Sequence, residues 1–188
     1  MREISVCCMV AQLQFSEQDL MAAMAALDGE GSYAISDGEL SVAFVDGDTI
    51  RALHGDFLGD GSDTDVITFP GDGTENFAGE ICISVECAIR NALEEFADIS
   101  DELMLYLVHG WLHLAGLRDG TEVESAAMRR GELHLLNFLR SKNLSVKFTL
   151  QDGSERFWLT NGAEAENFAH GNGCCGEEEL SGSGATMT

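Results

Sequence analysis

The stretch HGWLHLAGLRD, residues 109–119, carries the strongest signal in this chain. Its histidines, His109 and His113, are four residues apart, and a helix turns by about 100° per residue, so both imidazoles lie on one face. Gly116 suits the left-handed conformation that ends a helix, which lets Asp119 turn back toward the imidazoles. Two histidines and a carboxylate in this spacing predict an open site for one zinc ion, with a fourth position for water.

A packed histidine pair is the alternative interpretation of this stretch. The preceding helix is rich in Leu and Val, so the imidazoles would be hydrogen-bonded core groups and Asp119 a surface loop residue. We favour zinc, because neutral imidazole is a common metal ligand and the turn supplies a third one. Gly110 replaces the glutamate that acts as general base in His-Glu-x-x-His proteases, which argues against protease chemistry.

Length and composition predict a globular protein of the cytoplasm. The chain has 188 residues, 45% hydrophobic and 23% charged, which is enough for a sizeable core. We find no apolar run of the length of a membrane span, and expect no membrane partner. The six cysteines form no Cys-x-x-Cys pair. Adjacent Cys7 and Cys8 are predicted to be buried thiols on a strand, as suits a reducing compartment.

The net charge of −23 argues mildly against a nucleic-acid substrate, because a polyanion is repelled unless the few basic residues cluster. We expect no DNA partner. The exposed pair Arg129 and Arg130 is the densest positive spot, and we interpret it as a solvated helix face.

Hydrophobic periodicity predicts alternating strands and helices. The strands are predicted at residues 3–10, 39–45, 64–70 and 79–84. Helices are predicted at residues 20–27, 49–57, 85–96 and 122–139. The helix that carries the two histidines is apolar nearly all round, which predicts burial, and Ser100-Asp101-Glu102 is its predicted N-terminal cap.

Three segments are predicted along the chain. Residues 1–143 form the metal-binding domain. Residues 144–160 hold Asp-Gly between two β-rich runs, which predicts a β-hairpin extension. Residues 161–188 are an acidic, Gly-rich tail with little to bury, and we expect it to be disordered.

Four stretches, in this order, resemble the YbeY family of zinc-dependent endoribonucleases in bacterial ribosomal RNA maturation. IRALH stands in place of the family's Ile-x-x-Leu-Asn, TDVITFP is similar to Thr-Asp-Val-Leu-Ser-Phe-Pro, and GEICIS is similar to Gly-Asp-Ile-Val-Ile-Ser. HGWLHLAGLRD matches His-Gly-x-Leu-His-Leu-x-Gly-Tyr-Asp-His except in its last three positions. The stretches are residues 50–54, 64–70, 79–84 and 109–119, and the resemblance covers about residues 1–142.

The resemblance implies an α+β fold in which helices pack on a mixed sheet of about four strands and the metal-site helix is buried. It implies a single-strand-specific endoribonuclease that acts at the 3′ end of small-subunit ribosomal RNA. The implied partners are a ribosomal RNA precursor and the small ribosomal subunit. Catalysis would run through zinc held by His109, His113 and Asp119.

Two departures from the family pattern bear on activity. Asp119 stands where the family has its third histidine; a carboxylate oxygen is an acceptable zinc ligand, but its charge makes the zinc-bound water less acidic. Leu58 replaces the family's arginine, which is expected to contact phosphate. Arg118, where the family has aspartate, is the candidate replacement for that positive charge.

The sequence also leaves rival functions and the general base open. A zinc peptidase or amidase would agree with the acidic surface and the Asp119 ligand. A ribosome-assembly factor with structural zinc and no catalysis is the other alternative. Candidates for the general base are Glu80, Asp65 and the second oxygen of Asp119.

Overall fold

The computed structural model describes residues 2–59, 61–71 and 76–151. Within these ranges strands and helices alternate for most of the chain. The elements are β1 (Ile4–Cys8), β2 (Leu13–Gln14), α1 (Glu17–Glu30), β3 (Glu39–Val45), α2 (Gly47–Leu58), β4 (Val66–Pro70), β5 (Phe77–Ser84), α3 (Val85–Glu94), α4 (Ile99–Leu114), α5 (Glu122–Ser141) and β6 (Thr149–Leu150).

The central sheet has four strands in the order β1-β3-β5-β4. β1, β3 and β5 are parallel, and β4 runs antiparallel to β5. Pro70 is the last residue of β4, because proline has no N–H to continue a ladder. The predicted mixed sheet of four strands with packed helices is confirmed.

The two faces of this sheet bury different sets of side chains. Leu40, Val42 and Phe44 of β3 point to the inner face, where they join a large core with α1, α3, α4 and α5. Ala43 and Val45 alternate with them and point to the outer face, where a small cluster forms with α2. The histidine motif belongs to the inner face.

Helix α4 is buried on the inner face, as predicted. Trp111 is fully buried, and its indole N–H donates to the Tyr33 carbonyl. Gly110 lets the helix approach the sheet closely, because a Cβ there would lie 2.5 Å from the Ile81 Cγ2 atom. The predicted cap at Ser100-Asp101-Glu102 is wrong: Asp98 is the N-cap, and its carboxylate accepts from the Ser100 N–H.

The predicted burial of Cys7 and Cys8 is also wrong, although both are free thiols. They are exposed because β1 lies at the edge of the sheet, with a neighbouring strand on one side alone among the described residues. The alternating pattern of residues 3–10 predicts a strand, but not its place at the edge of the sheet.

The segment after α5 packs back onto the domain. Val146 and Phe148 are buried in the inner core, and β6 pairs antiparallel with β2. The turn and second strand of the predicted hairpin, and the whole predicted tail 161–188, lie outside the described residues. No helix in the described part of the chain is long and apolar enough to cross a membrane.

Candidate metal centre

The last turn of α4 and the loop after it bring His109, His113 and Asp119 together. The two imidazole Nε2 atoms lie 2.8 Å apart, and Asp119 Oδ2 lies 3.6 Å from His109 Nε2 and 3.8 Å from His113 Nε2. Gly116 has φ +93°, so the chain reverses there as predicted. The Ser125 hydroxyl donates to the Asp119 carbonyl at 2.6 Å and so ties this loop to α5.

The outer nitrogen of each imidazole has its own partner. His113 Nδ1 lies 3.1 Å from the Leu117 carbonyl oxygen, and His109 Nδ1 lies 2.6 Å from Glu132 Oε1. A carbonyl only accepts, so His113 Nδ1 carries the hydrogen and donates; a carboxylate accepts from His109 in the same way. In the neutral imidazoles, both Nε2 atoms are then bare lone pairs.

Two lone pairs that face each other at 2.8 Å need a positive species between or beside them. A shared proton or a metal ion meets that need. The carboxylate of Asp119 faces the same point and adds the third donor of an open N,N,O site. The cluster has the donor set for a divalent metal ion.

Burial and neighbouring charge act oppositely on the two imidazoles. Burial disfavours the charged form of His109, but the hydrogen bond to Glu132 and the charges of Asp65 and Asp119 outweigh it, so its pKa is raised. Burial and repulsion from His109 lower the pKa of His113. The pKa values of the two imidazoles are therefore shifted in opposite directions.

The structure separates the candidate general bases. Glu80 lies on β5 with the same parity as Cys82, which is buried on the outer face, so it is on the far side of the sheet from the cluster. Its carboxylate accepts from the Ser41 hydroxyl at 3.3 Å. Asp65 precedes β4 and lies within electrostatic reach of His109. Asp119 has a second oxygen, and its side chain is 48% exposed.

Arg118 and Leu58 are the two positions at which this chain departs from the family in positive charge. Arg118 is exposed next to Asp119 and makes no ion pair within the described residues. Leu58 is the last residue of α2.

Glu132 is a site residue that the sequence interpretation missed. It lies 23 positions after His109, on α5. The sequence alone singles out only the Arg129 and Arg130 pair of that helix, as a solvated face. A signal was present: Met128, Leu135 and Leu139 are the buried stripe of α5, and Glu132 falls at helical spacing within that stripe. An acid on a core-facing stripe calls for a buried partner, which here is His109.

This chain is similar to known proteins in sequence and in fold. The sequence profile of the family described as Endoribonuclease YbeY matches residues 9–140. A protein named Endoribonuclease YbeY from Protochlamydia amoebophila is 39% identical over 113 residues, which are 58% of this chain and 75% of that protein. A protein of the same name from Elusimicrobium minutum is 38% identical over 103 residues, 52% of this chain and 72% of that protein.

A solution structure from Thermotoga maritima has a similar fold, with a TM-score of 0.50 at 24% identity. The match covers 80% of this chain and 98% of that one. The family profile spans the elements from β2 to α5, except the last residue of α5, and includes all three residues of the cluster. This chain belongs to the YbeY endoribonuclease family.

Proposed function

We propose that this protein is a zinc-dependent, single-strand-specific endoribonuclease that matures the 3′ end of small-subunit ribosomal RNA in the cytoplasm. Family membership supports the endoribonuclease role in ribosomal RNA processing. The observation that carries the metal dependence is the pair of facing Nε2 atoms with Asp119 beside them. The partners are a ribosomal RNA precursor and the small ribosomal subunit.

His109, His113 and Asp119 are the metal ligands in this proposal. A zinc ion held there supplies a Lewis acid that activates water and polarises a phosphoryl oxygen. The two imidazoles are positioned by α4, whose burial restricts their rotamers, and the half-exposed Asp119 leaves the site open to a large substrate. This arrangement suits a scissile phosphate that approaches from solvent.

Proton transfer and phosphate binding fall to residues around the cluster. Asp65 and the second oxygen of Asp119 are the remaining candidates for the general base, and Glu80 is excluded by its position across the sheet. Arg118 is the proposed phosphate contact, because it is exposed beside Asp119 and its guanidinium presents a fork of donors to phosphate. It stands in for the charge missing at Leu58.

Cleavage of a single-stranded precursor fragment by zinc-loaded protein tests the activity. His113→Ala should reduce cleavage to background, whereas His134→Ala, which changes an exposed histidine on α5, should leave it unchanged. A duplex of the same sequence should resist. Equal cleavage by wild type and His113→Ala would refute the proposal. Binding of the precursor without cleavage would instead favour an assembly factor, and chelator-sensitive cleavage of peptides would favour a peptidase.

Metal analysis tests the ligand set separately. Asp119→Ala should lower zinc affinity while it leaves the two histidines in place. Unchanged stoichiometry and affinity would remove Asp119 from the ligands.

Arg118→Ala tests the phosphate contact. Loss of a substrate-binding charge should raise KM more than it lowers kcat. Arg129→Ala, which removes an exposed arginine from the middle of α5, is the control. If both variants change KM equally, Arg118 has no specific role.

A further inference from the structure

Glu132 is a half-buried carboxylate with one hydrogen-bonding partner within the described residues. Its side chain is 16% exposed, and its Oε1 atom lies 2.6 Å from His109 Nδ1. A carboxylate removed from water costs free energy unless a charged or polar group meets it. Among the described residues, His109 is the hydrogen-bonding partner that accounts for the position of Glu132.

The packing of α5 on α4 places this carboxylate. Gly131 precedes Glu132 and faces α4, where a Cβ would lie 3.0 Å from the Leu112 Cδ1 atom. Because glycine has no side chain, α5 comes close enough for the next residue to reach His109 Nδ1. Gly131 therefore allows the close approach of the two helices, and Glu132 makes the contact with His109.

We infer that Glu132 is a positioning residue of the metal centre, which accepts the Nδ1–H of His109 and so holds Nε2 bare and aimed at Asp119. The inference rests on the proposed metal function. It assigns a role to an acid on α5 outside the His-x3-His-x5-Asp motif. An outer carboxylate of this kind fixes the tautomer and ring orientation and raises the basicity of the ligand.

The two imidazoles are oriented by different means. His113 is held by the Leu117 carbonyl, which belongs to the backbone of the turn and does not depend on the Leu117 side chain. His109 depends on a side chain from another helix. The orientation of His109 is therefore more sensitive to a change at Glu132 than the orientation of His113 is to a change of the Leu117 side chain.

Zinc affinity of the full chain, measured by competition with a chromophoric chelator, tests this role. Glu132→Ala should weaken zinc binding by about 10- to 100-fold, the effect typical of losing an outer carboxylate. Glu132→Gln keeps an acceptor without the charge and should recover part of that loss. The control is Glu30→Gln, which alters the other glutamate–histidine pair, Glu30 with His134 at 2.9 Å, and should leave affinity unchanged.

A readout without metal separates orientation from folding. Nitrogen shifts of the imidazoles in the metal-free protein, recorded at a pH at which both rings are neutral, should report one Nδ1–H tautomer for His109 in wild type and a mixture of tautomers in Glu132→Ala. If Glu132→Ala does not fold, the zinc affinity and the His109 tautomer of Glu132→Gln test the inference instead.

The outcomes distinguish the two proposals. Wild type that binds no zinc would overturn the proposed function and this inference together. Wild type that binds zinc, with Glu132→Ala equal to it in affinity and tautomer, would overturn the inference alone. Equal losses in Glu132→Ala and Glu30→Gln would also overturn it, because they would show a general effect of charge.

Discussion

The inner face of the sheet lies under α4, where Trp111 and Leu107 are fully buried, whereas α2 covers the outer face and leaves its Phe57 65% exposed. On the inner face, α1, α3 and α5 close the core around the histidine helix α4. On the outer face, the cluster holds only Ala43, Val45, Ile50, Ile67 and Cys82 as buried members among the described residues. The comparison teaches that the candidate metal centre lies where packing is dense enough to hold imidazole rotamers.

Among these variants, Trp111→Ala on the inner face should lose the most unfolding free energy. Removing a fully buried tryptophan costs about 3–5 kcal/mol of unfolding free energy. Leu53→Ala, on the half-buried outer side of α2, should cost less because less surface leaves the core. Urea denaturation measures both. Equal losses would show that the outer face is as tightly packed as the inner.

Zinc should stabilise the protein by binding the cluster on the inner face, so the gain should not depend on packing on the outer face. At a free zinc concentration 100 times Kd, a ligand that binds only the folded state adds about 2.7 kcal/mol to the unfolding free energy. His113→Ala should abolish this gain, and Leu53→Ala should retain it. Thermal unfolding with zinc and with chelator is the measurement, and a gain that survives in His113→Ala would place the ion elsewhere.

Alanine should have opposite effects on stability at Gly110, on the inner face, and at Gly55, on the outer face. At Gly110 a Cβ would lie 2.5 Å from Ile81 Cγ2, and overpacking costs about 1–3 kcal/mol, more than the helix propensity gained. At Gly55 of α2 the nearest atom, Gly61 Cα, is 3.9 Å away, so alanine should stabilise by up to about 1 kcal/mol. The same sign at both sites would contradict the packing difference.

The caps of α4 and α2 should give the smallest effects. Asp98→Ala and Asp46→Ala each remove a carboxylate that accepts a backbone N–H, at a cost of about 1 kcal/mol. We expect Asp98 to cost the more, because it also pairs with Lys147. Denaturant unfolding of both variants at neutral pH is the measurement; a larger loss for Asp46→Ala would contradict this order.

The Asp98 contribution should also depend on pH. The hydrogen bonds from Lys147 and the Ser100 N–H lower the pKa of Asp98 to about 2. Since the folded pKa lies below the unfolded value of about 3.9, the stabilisation is complete above that value and is lost as pH falls toward 2. The difference between wild type and Asp98→Ala should therefore shrink over that range. A constant difference would show that the carboxylate charge contributes nothing.

Much of the fold could be predicted from local patterns. Alternation in Leu40, Val42 and Phe44 predicts the strand that the structure contains, and the helix predicted at residues 20–27 lies within α1. The start of α4 could not be predicted as well. Asp98 and Ser100 are both good caps, and only the contact of Lys147 with Asp98 and of Phe148 with the Ser100 hydroxyl distinguishes their roles.

The candidate site also has features that the sequence predicts and features that need the tertiary structure. His109, His113 and Asp119 could be predicted because a helical turn and a glycine turn act over a few residues. Glu80 could not be excluded as a base until the sheet assigned it to the outer face. The roles of Arg118 and Leu58 stay predictions.

By itself the sequence determined the periodicities, the His-x3-His spacing and the turn at Gly116, because each is a property of neighbouring residues along one backbone. Only the tertiary structure decided that β1 is an exposed edge, that Gly110 lies against Ile81, and that Glu132 meets His109 across 23 residues. The physical reason is that contacts between elements depend on how helices pack on a sheet. That packing is the sum of many small interactions distributed over the whole core.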